Sequence, residues 1–261
     1  MSAIGVFDSG IGGLTVVAEL RRRLPDESIV YLGDTARLPY GSKSPETVTS
    51  YTRKNVAFLL GRGVKAVVVA CNTASALALP HLTAPVPVWG VIEPGARRAA
   101  AATAGHVGVI ATESTVRSDA YATALRRIDA RLRVDSRPCP LFVPLVEEGW
   151  HDDPVTEQVA ARYLEPLVAG GIDTLVLGCT HYPLLRPLLQ RVVGPGVTLV
   201  DSAASTADEV ARGLAAAGLA AAPGAAVEHR LYVTDASAGF ATFARRILAD
   251  ESVGLEWVEV V

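Results

Sequence analysis

Short apolar runs bounded by Gly, Pro or Asp alternate along this chain with longer stretches in which apolar residues recur at helical spacing. "IGVFD" precedes a helical stretch from Leu14 to Leu24, and "SIVYLG" precedes one from Glu46 to Leu60. "AVVVA" leads into Thr73 to Leu79, and "VPVWGVI" leads into Gly95 to Ala102. Short β-branched strands separated by helices predict parallel pairing with both faces of the sheet covered, which is an α/β layered fold. Around "TAGHVGVIATESTV" the pattern restarts.

Laid side by side, the halves correspond. "GVFDSGIGG" from Gly5 is similar to "GVIATESTV" from Gly108, and "VKAVVVACNTAS" from Val64 is similar to "IDTLVLGCTHYP" from Ile172, at nearly equal spacing. Two similar lobes are therefore expected, each a mostly parallel sheet flanked by helices. Ligands of such sheets bind beyond the carboxyl ends of the strands, so facing lobes would set Cys71 and Cys179 on opposite walls of one cleft. The tail does not fit the second unit: a helix from Ala207 to Leu219, an "AAAPGAA" link, a strand "HRLYVT", a helix from Phe240 to Leu248 and a strand "LEWVEV" follow. It is expected to cross back, giving a first lobe of residues 1–97 plus 208–261 and a second of 98–207.

Composition narrows the class. The chain has 261 residues, 50% hydrophobic and 20% charged, with a formal net charge of −3, so it is long enough for a substantial core and carries no basic stripe for nucleic acid as its main partner. "RRR" at Arg21 to Arg23 and the arginines near Arg97 read as solvated helix faces. No apolar run approaches the roughly 20 residues that span a bilayer, and the start lacks the signature of a signal peptide. No membrane association and a cytoplasmic location are the expectation. Three cysteines are too few for a disulfide framework and suit a reducing compartment.

Each of Cys71 and Cys179 sits at a strand exit beside an expected helix start, with Asn72 and Thr73 or Thr180 and His181 next to it. Such surroundings predict a stabilised thiolate, below the usual ~8.5. Cys139, between prolines, reads as structural. A zinc site is disfavoured because no Cys-x-x-Cys or His-x-x-x-His pair occurs, and a Cys-His hydrolase would leave the second dressed cysteine unexplained. "FDSGIGGL" lacks both dinucleotide and Walker spacing, and its glycines suit backbone and Ser9 approaching a small anion. Asp8 points into the same cleft or caps the following helix. Only Lys43, Lys54 and Lys65 could form a pyridoxal Schiff base, none well placed, so no cofactor and no metal are expected.

"GVFDSGIGGL", "GDTARLPYGSKS", "ACNTAS", "GVIEPG", "CPLFVPLVEEG" and "LVLGCTHYPLL" together resemble glutamate racemase, in order through almost the whole chain. The wider aspartate/glutamate racemase superfamily keeps the two cysteines but usually departs from the Asp-Ser-Gly, Pro-Tyr-Gly and Thr-His-Tyr-Pro signatures. The resemblance implies a cofactor-independent racemase that supplies D-glutamate for peptidoglycan. It implies that Cys179 deprotonates L-glutamate and Cys71 D-glutamate, each leaving the other as proton donor, because inversion needs a base on one face and an acid on the other. It further implies that Asp8 assists Cys71, and that His181 and Glu147 assist Cys179. Ser9, Pro39, Tyr40, Gly41, Asn72, Thr73, Thr112, Thr115 and Thr180 would line the substrate pocket, and the assembly would be a homodimer. The rival readings are a racemase of the same superfamily acting on aspartate or another amino acid, and a binding protein without turnover.

Overall fold

The computed structural model describes residues 3–236 and 238–261. The first run of elements is β1 (Ile4–Asp8), α1 (Leu14–Arg23), β2 (Ile29–Gly33), α2 (Pro45–Gly61), β3 (Ala66–Val69), α3 (Asn72–Leu77), β4 (Val88–Gly90) and α4 (Ile92–Ala102). The second is β5 (His106–Ala111), α5 (Glu113–Arg117), α6 (Ala120–Ile128), β6 (Arg133–Pro138), α7 (Phe142–Glu147), α8 (Pro154–Ala169), β7 (Thr174–Gly178), α9 (Arg186–Val193) and β8 (Thr198–Asp201). The chain ends with α10 (Ala203–Ala216), β9 (His229–Val233), α11 (Ala238–Leu248) and β10 (Glu256–Trp257).

These strands form two sheets, ordered β10-β9-β2-β1-β3-β4 and β6-β5-β7-β8, and each strand pairing is parallel. The α/β fold expected from the alternating pattern is therefore present. So is the duplication, because β2-β1-β3-β4 and β6-β5-β7-β8 have the same order. In both sheets the strand that leads to a cysteine, β3 or β7, lies next to the strand that opens the unit, β1 or β5.

The tail returns to the first sheet, where β9 pairs with β2 from Ile29↔His229 to Gly33↔Val233. Helix α10 packs on α1. Most helix and strand boundaries fall within two residues of the sequence pattern, and larger shifts occur at α4, α10 and β10. Helix α4 begins at Ile92 rather than Gly95, because Pro94 falls in the first turn, where no backbone N–H is required. Helix α10 begins at Ala203, with the Asp201 carboxylate accepting the Ala203 N–H at 3.1 Å. The last strand shrinks to Glu256–Trp257, an exposed edge paired only to Tyr232 and Val233.

Every residue of β3 and β7 is buried, as expected for strands covered on both faces. Their side chains alternate between two layers: Val68 joins Ile4, Val6 and Leu14 beneath α1, while Val67 and Val69 join Phe7 and Leu59 beneath α2. In the second sheet Leu175 and Leu177 face Leu164 and Leu188, while Val176 faces Val107, Val109, Ile92 and Ala96. Each such Val or Leu contributes about 1.5–3 kcal/mol on burial.

The two sheets' loops approach closely at two glycines. A Cβ on Gly12, ahead of α1, would lie 2.6 Å from Thr180 Oγ1 and 2.7 Å from His181 Nδ1. One on Gly41 would lie 2.5 Å from Thr112 Cβ. Gly12→Ala is therefore expected to leave the cores intact but cost about 1–3 kcal/mol through overpacking. A calorimetric Tm equal to that of the parent would contradict this close approach.

Candidate active site

Cys71 follows β3 and caps α3, its Sγ accepting the Ala74 N–H at 3.4 Å while the thiol donates to Ser9 Oγ, also at 3.4 Å. Burial pushes this thiol up to about 12, the Asp8 carboxylate adds to the rise, and the bonds that the Ser9 hydroxyl and the Ala74 N–H can donate to a thiolate only moderate it. The stabilised thiolate expected at this helix start is thus corrected. One N–H of a six-residue helix and one hydroxyl are too weak to offset desolvation beside a negative charge.

Asp8 is fully buried; its Oδ2 accepts the Gly10 N–H at 3.0 Å and its Oδ1 accepts the Thr180 hydroxyl at 3.4 Å. Burial raises its pKa, opposed by the charge of His181 and by these hydrogen bonds. It is not the cap of α1, whose N-cap is Gly13. Asp8 holds the turn after β1 and ties it to the loop after β7.

Cys179 leaves β7 directly. His181 Nδ1 lies 3.9 Å from its Sγ, and His181 Nε2 lies 3.1 Å from Glu147 Oε1 at the end of α7. Burial alone would discharge this imidazole. Its bonds to Cys179 and Glu147 outweigh that and bring it to about 10, so at neutral pH it is a cation, the partner that a thiolate at Cys179 requires.

Cys71, Cys179, Ser9, Pro39, Tyr40, Gly41, Asn72, Thr73, Thr112, Glu147, Thr180 and His181 all line one cavity of about 30 Å³. Thr115 and Asp8 stand one layer back. Thr73 Oγ1 lies 2.9 Å from Thr112 Oγ1 and 3.1 Å from Thr115 Oγ1, so Thr115 buttresses two hydroxyls from different sheets. The Tyr40 hydroxyl turns away from the cavity to the buried Asp34 carboxylate and accepts the Asn55 amide at 3.0 Å, leaving its ring and backbone at the wall. Among the described residues the buried Nδ2 of Asn72 has no partner.

Gly10, Leu38 and Val143 also line the cavity and were not singled out from the sequence. They lie inside or beside the quoted motifs, but backbone and apolar side chains carry no chemical signal. Larger clefts, of about 520 and 650 Å³, lie elsewhere and contain neither Cys71 nor Cys179. A second cavity of about 260 Å³ adjoins the site, sharing Leu38, Pro39, Gly41, Thr112, Val143 and Glu147. Among the described residues no cluster of three His, Cys, Asp or Glu could hold a metal, and no helix is long and apolar enough to cross a membrane.

Two parallel sheets that deliver paired cysteines into one polar cavity define an amino-acid racemase of the kind described as Asp/Glu/Hydantoin racemase, whose family model matches residues 14–210. Over 249 residues the chain is 54% identical to a glutamate racemase of Geobacter metallireducens, covering 94% of this chain and 92% of that protein. It is 49% identical over 261 residues to one of Neisseria meningitidis, covering 98% and 96%. The structure superposes on glutamate racemase RacE1 of Bacillus anthracis with a TM-score of 0.95 at 42% identity, covering 99% of this chain and 98% of that one. On the Francisella tularensis glutamate racemase, solved in complex with D-glutamate, the TM-score is 0.92 at 37% identity, with coverage of 99% and 98%. The chain belongs to the glutamate racemase family and is an isomerase.

Proposed function

We propose that this enzyme interconverts L- and D-glutamate without a cofactor, Cys179 and Cys71 exchanging the roles of base and acid at Cα. The observation that carries the proposal is the convergence of both thiols on one cavity from equivalent strand exits of the two sheets. The substrate is supported by the Geobacter metallireducens and Neisseria meningitidis relatives, both named glutamate racemase, and by the Francisella tularensis structure with D-glutamate. Hydroxyls of Ser9, Thr73, Thr112 and Thr180 and the Asn72 amide would receive the two carboxylates, mostly through O–H and N–H donors. Donors aimed at the α-carboxylate also stabilise charge that spreads onto it as the proton leaves, each worth about 3 kcal/mol.

The thiols are not equivalent at rest. Cys71 keeps its proton at neutral pH and is the donor, while Cys179 has the His181 cation beside it and is the base. That state is poised for L-glutamate; the reverse state follows each turnover. The reaction would run in the cytoplasm, where thiols stay reduced, and supply D-glutamate for peptidoglycan. A homodimer, supported by the family resemblance, completes the proposal, and light scattering is expected to return the mass of two chains; the mass of one would remove it.

Incubation with L-glutamate in D2O is expected to give loss of optical rotation with deuterium at Cα. Cys71→Ser and Cys179→Ser should each reduce the racemisation rate at least 10²–10⁴-fold. Exchange surviving both substitutions would overturn the two-thiol mechanism, and exchange with aspartate but not glutamate would overturn the substrate.

Enantiomers have equal free energy, so kcat/KM must be the same in both directions, and the asymmetry of the thiols shows only in kcat and KM separately. The His181 cation is present below about 10 and lost above it, so kcat/KM for either enantiomer should fall as pH rises through that value. A high-pH limb that persists in His181→Gln would assign it to another group.

A further inference from the structure

Asn72 begins α3 on the first sheet, and Tyr121 stands on α6 against the second. Tyr121 is 2% exposed and Asn72 3%, and the phenol donates to Asn72 Oδ1 at 2.7 Å. The tyrosine ring reaches that point through a slot kept open by glycine: a Cβ on Gly178 would lie 3.0 Å from its ring, and one on Gly95 would lie 3.2 Å from its hydroxyl. Glycine at these two positions leaves room for the ring on this path.

A primary amide has an acceptor on one side and two donors on the other. With Oδ1 held by the phenol, Nδ2 is turned the opposite way. Asn72 lines the thiol cavity, and its buried Nδ2 has no partner among the described residues. A buried donor left unpaired is costly, which makes it a strong attachment point for an arriving acceptor. Glutamate offers only acceptors at its carboxylates, whereas its ammonium is a donor that this face of the amide would repel.

We infer that Tyr121 is a positioning residue, which locks the Asn72 amide so that its N–H group meets a substrate carboxylate. The phenol and the amide belong to different sheets, so the lock closes only when the two sheets are brought together. Substrate recognition on the first sheet is thereby tied to the position of the second. The assignment rests on the racemase function proposed above.

The test begins with glutamate racemisation by the parent enzyme, followed by Tyr121→Phe, Asn72→Ala, the double variant and Asn72→Asp, with folding checked by circular dichroism. Tyr121→Phe keeps the ring and removes only the hydroxyl. Its kcat/KM is expected to fall about tenfold for both enantiomers, carried mainly by KM, the scale of one hydrogen bond. The double variant should be no worse than Asn72→Ala alone. Asn72→Asp keeps an acceptor for the phenol but turns a second acceptor into the cavity, so KM should rise at least as far as in Tyr121→Phe.

A parent-like KM in folded Tyr121→Phe, additive losses in the double variant, or an unchanged or lowered KM in Asn72→Asp would each overturn the inference while leaving the racemase function standing. If Tyr121→Phe does not fold, Asn72→Asp decides. Absence of racemisation by the parent enzyme would overturn both.

Discussion

Burial of charge beside two thiols is the constraint on which the site depends. In the low-dielectric space between the sheets a thiolate is costly unless a cation faces it, and the two cysteines are treated differently. Cys71 has Asp8 near it and stays protonated. Cys179 has His181, which Glu147 keeps charged through a 3.1 Å bond from the end of α7. One thiol therefore faces a carboxylate and the other an imidazolium across the same cavity. An arrangement with two equally exposed thiols would lose that difference, because water would solvate either form.

The scaffold meets this constraint by repetition. Each sheet carries its cysteine on the strand beside the one that opens the unit, and the chain turns abruptly into polar residues at that strand's end. Parallel strands buried on both faces are held by side-chain packing, so their carboxyl ends fix Cys71 and Cys179 while the loops beyond them shape the cavity. The tail strands widen only the first sheet, away from the thiols.

Contacts between the sheets serve cohesion and chemistry together. The Asp8–Thr180 bond, the hydroxyls of Thr73, Thr112 and Thr115, and the Tyr121–Asn72 bond all cross from one sheet to the other. Gly12 and Gly41 allow the backbone close enough for such short polar groups to meet. Thr73, Thr112, Thr180 and Asn72 among these groups also line the cavity, so cohesion of the walls and the shape of the site share residues.

Much of this was legible in the chain. Alternating β-branched runs and helical stretches determined the α/β class, and the two cysteine strands determined the duplication, because strand period and strand-exit chemistry are local properties. The family resemblance carried by the motifs around Cys71, Cys179, Pro39 and Thr180 singled out most of the cavity wall. Boundaries slipped where a local rule met its exception, as with Pro94 inside the first turn of α4. The elevated thiol of Cys71 and the commitment of the Tyr40 hydroxyl to Asp34 and Asn55 were decided only by tertiary structure. So were the direction of the Asn72 amide and the wall positions of Gly10, Leu38 and Val143. Desolvation and long-range partners come from residues far apart in the chain, and no spacing rule reports them.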